Sequence, residues 1–141
     1  MINPIIVRKS RVPNWFSSKK HSMYGITFFP FIFISDYEIE KTNEYDVQEV
    51  MNHEKIHFEQ ICETGIIGFY FLYFIEFLYK SIRYKSISEG YNNISFEKEA
   101  YRNMKQLDYL KSRKRYKWMK YILWNKNENE NILVYNLFSF I

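Results

Sequence analysis

The residues of this chain that are best suited to chemistry lie in one short stretch, His53-Glu54-Lys55-Ile56-His57, which has the pattern H-E-x-x-H. On an α-helix, two histidines four residues apart project from one face, about one turn apart. Both imidazoles can then bind one zinc ion through ring nitrogens. Glu54 is placed to take a proton from a metal-activated water. The stretch therefore predicts a metal centre with His53 and His57 as ligands and Glu54 as the catalytic base.

Two histidines do not complete such a centre, because a catalytic zinc site has three protein ligands and one open position. The remaining histidine, His21, falls at the end of a predicted polar loop, where we expect it to be solvated. Cys62 lies five residues after His57, on a different face of the helix, and is predicted to be packed. The remaining ligand type is a carboxylate.

A carboxylate of this kind occurs about 40 residues downstream, in Glu97-Lys98-Glu99-Ala100. H-E-x-x-H followed by a second helix that reads E-x-x-A resembles the gluzincin group of zinc metallopeptidases. The chain also resembles small bacterial proteins that combine N-H-E-x-I-H with F-E-x-E-A-Y. The resemblance covers roughly residues 24–104. It implies a zincin-like fold, zinc as the cofactor, Glu54 as the general base, and the ligands His53, His57 and Glu97.

The chain departs from the family pattern after Ala100. The family often has an aspartate there that orients a ligand histidine, whereas this chain has Tyr101, so that role falls to Glu76 or Glu99. Glu97 and Glu99 lie two residues apart on a helix and cannot both face the metal, and the motif favours Glu97. The candidates for stabilising an oxyanion are Tyr91, Tyr101 and Arg102.

The elements that must position these residues follow from the spacing of apolar side chains. A helix over residues 44–63, capped by Thr42 or Asn43 after a polar connection at 36–43, carries both histidines. Residues 25–35, rich in β-branched and aromatic types, predict a strand that Pro30 either breaks or places at a sheet edge. An edge strand there could bind an extended peptide as an added strand. The alternative is a core strand with a bulge at the proline.

Four other segments have simpler predictions. Ile5 to Arg8 is expected to form a short strand, and residues 86–93 a loop around Gly90. Ser95 is expected to cap a helix from Phe96 to about Leu110, with another helix from Arg113 to Trp124. The basic residues of that last segment favour a solvated face, and an anionic membrane or a nucleic acid is the alternative partner.

Two apolar runs stand out. Residues 66–79 carry a single charge, Glu76, and at about 14 residues fall short of the roughly 20 that a membrane span needs. We expect a buried or membrane-surface helix, in which Glu76 pairs with a basic residue or orients a ligand histidine. The run at 132–141 is expected to dock on the domain or to contact a partner or membrane.

Composition limits the remaining possibilities. With 141 residues, 47% of them hydrophobic, the chain suits one α+β, mainly α domain, with an N-terminal extension at 1–24 and a linker and tail at 125–141. The mild net charge of +4 makes nucleic acid an unlikely partner. One cysteine excludes an internal disulfide, and the N-terminus lacks the order of a secretory signal. The expected location is cytoplasmic, with peripheral attachment to a membrane as an option.

Together these features predict a zinc-dependent metallopeptidase that acts on a peptide or protein. The alternative function is a membrane-associated, metal-binding scaffold without catalytic turnover. A closed zinc site with four protein ligands would favour the scaffold, since it leaves no position for water.

Overall fold

A computed structural model of the chain describes residues 2–17 and 22–122. The predictions for His21 and for the apolar run at 132–141 lie outside these residues. The described chain is mainly helical with one small sheet, which confirms the predicted α+β, mainly α class. Its elements, in order, are β1 (Ile5–Val7), α1 (Val12–Phe16), β2 (Gly25–Phe28), β3 (Phe31–Ile34), α2 (Asp36–Thr42), α3 (Val47–Thr64), α4 (Ile66–Tyr84), α5 (Ile87–Asn92), α6 (Ser95–Asn103), α7 (Tyr109–Ser112) and a 3-10 helix (Lys117–Tyr121).

The three strands form a sheet in the order β1-β3-β2. β1 confirms the short strand expected near Ile5, and it runs parallel to β3. The strand predicted over 25–35 is broken at Pro30, which confirms one of the two alternatives: β2 and β3 form an antiparallel hairpin, with a cis Phe29–Pro30 bond between them. Within the described sheet, β2 pairs only with β3, so it is an edge strand beside the helix that carries the histidines.

Helix α3 begins later than the sequence predicts. The capping residue is Asp46, whose side chain accepts a hydrogen bond from the backbone N–H of Gln48 at 2.6 Å. The predicted caps, Thr42 and Asn43, are wrong because residues 36–42 form α2 rather than a polar connection. Asn43 ends α2 in the left-handed conformation. The helix ends at Thr64, one residue beyond the predicted end at Glu63, and Gly65 separates it from α4.

Helix α3 lies between two clusters of buried side chains. One cluster packs it against the sheet and α2, through Ile32, Ile34, Ile39, Val50, Met51 and Phe58. The other packs it against α4, α6 and the 3-10 helix, through Ile61, Phe69, Ile94, Phe96 and Trp118. Because both clusters include residues of α3, its side chains are fixed relative to the sheet and to α6 at the same time.

The segment predicted as a loop at 86–93 contains helix α5, capped by Ser86, whose hydroxyl accepts from Glu89 N–H at 3.3 Å. Gly90, read from sequence as a loop signal, is a packing residue. A Cβ built on it would lie 2.7 Å from the Cα of Ser81 on α4. The glycine therefore permits a close approach of two helices.

Three further predictions are wrong in detail. Ser95 is the first residue of α6 rather than its cap, and that helix ends at Asn103 instead of near Leu110. The helix predicted from Arg113 is, in the described chain, the 3-10 helix Lys117–Tyr121. Cys62 is exposed rather than packed, because it lies on the face of α3 away from both clusters.

Helix α4 does not lie in the core, so of the two alternatives predicted for 66–79 the buried helix is wrong and the membrane-surface helix stays a prediction. Of its 19 residues, only Phe69 and Lys80 are buried. Judged by length and composition, none of the described helices could cross a membrane alone. α3 and α4 together would pass that test, but they are bent by 111° at Gly65.

Candidate metal centre

Three side chains converge on one buried point between α3 and α6. The Nε2 atoms of His53 and His57 lie 3.0 Å apart. Each is 3.4 Å from a carboxylate oxygen of Glu97: Oε2 for His53 and Oε1 for His57. All three residues are buried. The structure thus brings together the three ligands that the sequence predicts, in a group that could hold a metal ion.

The spacing of these atoms fits a small ion in their midst. Zinc bonds of about 2.0–2.1 Å at tetrahedral angles separate neighbouring ligand atoms by about 3.3 Å. The observed separations are close to that value. Glu97 Oε2 is buried and accepts no hydrogen bond from any described residue, which is uncommon for a buried carboxylate. An ion bound at this point would satisfy it.

The local sequence explains why the ligands meet. His53 and His57 are one turn apart on the face of α3 that also carries Val50 and Ile61, so they are drawn inward with the apolar residues. Glu97 lies in the first turn of α6. Ala100, one turn further along α6, is fully buried, and its small side chain allows α6 to pack closely.

His57 is held by a residue that the sequence analysis missed. Its Nδ1 atom is 2.8 Å from Oε1 of Gln60. The amide nitrogen of Gln60 donates to Oε2 of Glu99 at 2.9 Å and to the carbonyl of Phe96 at 3.2 Å. The amide oxygen is therefore the acceptor, Nδ1 of His57 carries the proton, and Nε2 faces Glu97. A polar residue three positions after His57 on a buried face was the available signal.

Glu99 belongs to the support of the site and does not join the cluster of His53, His57 and Glu97. It is fully buried and accepts hydrogen bonds from Tyr109 Oη at 2.7 Å and Arg113 Nε at 2.6 Å. Arg113 also pairs with Glu63 on α3. A chain of hydrogen bonds therefore runs from Arg113 through Glu99 and Gln60 to His57.

His53 lacks an equivalent partner on its other ring nitrogen. Its Nδ1 atom is buried and has no hydrogen-bond partner among the described residues. Tyr101 packs its ring edge-on against the imidazole, with centroids 4.5 Å apart. Tyr101 thus contacts the candidate ligand His53 through its ring.

Glu76, the other candidate for orienting a histidine, serves α6 instead. It accepts hydrogen bonds from the backbone N–H and the hydroxyl of Ser95, at 3.0 and 2.6 Å. It also pairs with Lys80 at 2.9 Å, as the sequence analysis expected of a basic neighbour. A carboxylate at a helix N-terminus is favourable, so Glu76 fixes the turn of α6 that carries Glu97.

Glu54 is positioned by strand β2. It is buried, and its Oε2 atom accepts a hydrogen bond from Thr27 Oγ1 at 2.6 Å. Its side chain also crosses Gly25 so closely that a Cβ there would lie 2.7 Å from Glu54 Cγ. Gly25 and Thr27 were read only as part of a strand, although their spacing of two places them on one face.

Tyrosines surround the carboxylate of Glu97. Tyr73 on α4, which the sequence analysis did not single out, donates to Glu97 Oε1 at 2.6 Å. Burial raises the pKa of Tyr73 well above its usual value, and the negative charge of Glu97 adds to this. The same causes raise the pKa of Tyr91, which is hydrogen-bonded to Tyr101. The hydroxyls of Tyr73, Tyr91 and Tyr101 are therefore neutral and can donate hydrogen bonds. Arg102, the other residue predicted to stabilise an oxyanion, is exposed.

Without a metal ion, the site holds a strong charge pair. Burial lowers the pKa of His57, but the Glu97 carboxylate and its hydrogen bond raise it by more, so that it comes to about 9. Burial alone would raise the pKa of Glu97, yet the two histidines hold it well below its usual value. A metal ion at this site would have to displace a proton from His57.

The four predicted site residues line one cavity of about 1110 Å³. Its walls come from β2 on one side and from α4, α5 and α6 on the other, and they include Gly25, Thr27, Tyr70, Tyr73 and Tyr91. The cavity is as large as those that bind small ligands or a segment of peptide.

Comparison of the chain with protein-family models, with curated proteins and with solved structures finds no match. The metal centre is therefore understood from its own residues. Its kinship with the gluzincins stays a prediction from the two motifs.

Proposed function

We propose that this chain is a zinc-dependent metallopeptidase with a zincin-like arrangement of helices. The proposal is carried by one observation: the buried group of His53, His57 and Glu97 shares a cavity with the carboxylate of Glu54. A zinc ion held by these three side chains supplies Lewis acidity and makes a water molecule acidic near neutral pH.

Glu54 is the proton carrier in this proposal. Thr27 occupies its Oε2 atom, which leaves Oε1 as the oxygen that accepts a proton from water and passes it to the leaving amine. The hydroxyls of Tyr91 and Tyr101 are neutral donors near Glu97, and they are the candidates for stabilising negative charge on the substrate carbonyl.

The edge of β2 suits an extended peptide. Ser35 N–H donates to the Tyr24 carbonyl at 2.8 Å, so these two residues form a hydrogen-bonded pair of the antiparallel ladder. Because such pairs alternate with non-hydrogen-bonded pairs, the N–H and C=O groups of Gly25 and Thr27 point away from β3. The Thr27 carbonyl accepts from Tyr70 Oη at 3.1 Å, and Gly25 lines the cavity. A peptide in the cavity can pair with this edge as an added strand.

The decisive experiment compares Glu54→Gln with Glu59→Gln, a change of the same kind on the same helix. Purified variants are loaded with zinc, checked for one zinc per chain and incubated with a peptide library read by mass spectrometry. We expect Glu54→Gln to retain zinc and lose about 10²–10⁴-fold in cleavage rate, with Glu59→Gln unchanged. His53→Ala and Glu97→Ala should lose the metal itself.

Two results would count against the proposal. Cleavage by zinc-loaded Glu54→Gln at the parent rate would remove Glu54 from the mechanism. A parent protein that binds zinc but cleaves nothing in the library would favour the metal-binding scaffold.

A further inference from the structure

Helix α4 is built with its polar and apolar residues in unusual places. Two of its three charged residues, Glu76 and Lys80, face inward, where Lys80 also donates to the carbonyls of Asn93 and Ile122. Its large apolar residues face outward: Ile67 is 86% exposed, Ile82 77% and Phe71 62%. A surface helix of a globular protein has the opposite arrangement, with its apolar stripe facing the core and its charged residues facing water.

The exposed apolar arc is wide. Successive residues of an α-helix are rotated by about 100° around its axis. On that basis the exposed apolar residues of α4 between Tyr70 and Ile82 cover about 200° of the circumference. The stripe through Phe69, Tyr73 and Phe77 is already packed against the domain. The arc that remains is therefore about twice the width of the stripe by which a surface helix usually packs on a protein.

The width and chemistry of this arc fit a lipid surface. A helix lying in the plane of a bilayer immerses about half of its circumference, and α4, about 28 Å long, mixes Phe, Ile and Leu with the Tyr typical of the interfacial zone. Exposed basic residues, Arg83 and Lys85, stand at its C-terminal end, where they can meet anionic headgroups. A protein groove would cover only part of this arc.

The same face reaches the mouth of the cavity. Tyr70 is 37% exposed on α4 and also lines the cavity, where its hydroxyl binds the Thr27 carbonyl. Phe16 and Phe28, whose rings are 5.8 Å apart, line the cavity too and are themselves exposed. Exposed apolar side chains of α4, α1 and β2 thus line the same cavity as the candidate metal ligands.

We propose that the outward face of α4 binds the surface of an anionic phospholipid bilayer, with the helix lying in the plane of the membrane and the cavity mouth beside the lipid. This goes beyond the peptidase activity and does not depend on it, because the residues concerned are not part of the metal centre. One consequence does rest on the proposed peptidase function: the substrates of the cavity would be segments that lie at, or emerge from, a membrane surface.

The test is flotation of the full-length protein with vesicles of phosphatidylcholine alone or of phosphatidylcholine and phosphatidylglycerol in equal parts. The variant Ile67→Ser/Phe71→Ser/Phe74→Ser removes three outward side chains. Its control is Tyr37→Ser/Leu107→Ser, at positions 67% and 61% exposed on α2 and in the turn between α6 and α7. Circular dichroism and zinc content show that each protein is folded and has its metal centre.

We expect the parent and the control to float with the mixed vesicles and the α4 variant to partition at least about tenfold less. A smaller fraction of the parent protein should float with vesicles of phosphatidylcholine alone, because Arg83 and Lys85 have no electrostatic attraction to neutral headgroups. A parent protein that remains with the unbound fraction, or an α4 variant that floats as well as the control, overturns the proposal. A parent dimer that the α4 variant abolishes, in place of vesicle binding, assigns the face to a second copy and overturns it as well.

Discussion

At the scale of single residues, the position of Glu54 depends on the missing side chain of Gly25. The glutamate lies across the strand, and Thr27 holds one of its oxygens at 2.6 Å. Proton transfer requires the carboxylate to be correctly placed to within a fraction of an ångström. Gly25 is therefore a positioning residue of the proposed mechanism, although it has no functional group of its own.

Gly25→Ala tests this role. The new methyl group would meet Cγ and Oε1 of Glu54 at under 3 Å and displace the carboxylate. We expect unchanged zinc content, a loss of stability of about 1–3 kcal/mol in urea unfolding, and about 10²-fold slower peptide cleavage.

The matched control is Gly68→Ala, inside α4. Its Cβ would meet Thr64 Cβ at an ordinary 3.7 Å, and alanine favours a helix by about 0.5–1 kcal/mol. Stability and activity of Gly25→Ala equal to those of the parent would mean that Glu54 is not held by this contact.

At the scale of the elements, Gln60 couples α3 to α6. It bonds to His57 on its own helix, to the carbonyl of Phe96 and to the side chain of Glu99. Arg113 ties the same network to Glu63. The helix that supplies two ligands and the helix that supplies the third are thus held in register by one buried amide.

Gln60→Leu removes the amide while keeping similar volume. The loss of an orienting hydrogen bond to a ligand histidine typically costs 10–100-fold in metal affinity, and we expect a loss of that size. Competition with a chromophoric chelator measures it. Gln48→Leu, exposed near the start of the same helix, should retain the parent affinity. Equal affinities in the two variants would show that Gln60 serves the packing of α6 alone.

The helix over the H-E-x-x-H motif and the small sheet could be predicted, because they rest on local spacing. The meeting of His53, His57 and Glu97 was expected from the resemblance of the two motifs to those of the gluzincins. The helical period sets the histidines on one face, and the second motif singles out Glu97 from Glu99. The positions of these residues on their helices do not depend on the rest of the fold.

What could not be predicted depends on partners distant in sequence. By sequence alone Gly90 indicates a loop, and its packing role arises only because Ser81 lies against it in the fold. Thr42 and Asn43 are as suitable for capping as Asp46 by residue type. Gln60 and Tyr73 gain their roles only from α6. The outward face of α4 shows a limit of pattern reasoning, since the apolar run predicted a buried or a membrane-surface helix and could not separate the two.

At the scale of the whole molecule, the metal centre links pH to stability. The pKa of His57 in the folded, metal-free protein is about 9, above the value of 6.5 for a free side chain. A group with a raised folded pKa stabilises the protein fully below its unfolded pKa, and that contribution disappears as pH rises through the folded pKa. The imidazolium is lost, and with it the attraction to Glu97.

The metal-free protein should therefore lose stability between pH 6.5 and 9, with a slope that approaches 1.4 kcal/mol per pH unit for one proton. Urea unfolding in the presence of a chelator measures the slope, and His57→Gln should lack it. Zinc affinity should rise over the same range, because the ion competes with that proton. Stability of the parent that is independent of pH there would mean that His57 is neutral without metal.

The order of the ligands along the chain has a consequence for biosynthesis. His53 and His57 lie one turn apart, but Glu97 follows 40 residues later, after all of α4 and α5. A growing chain presents the two histidines and Glu54 long before the third ligand is made, and α6 reaches its place only once it packs on α3. The unfinished polypeptide thus carries an incomplete centre. If the proposed peptidase activity holds, the chain acquires that activity last, after it has folded around the site.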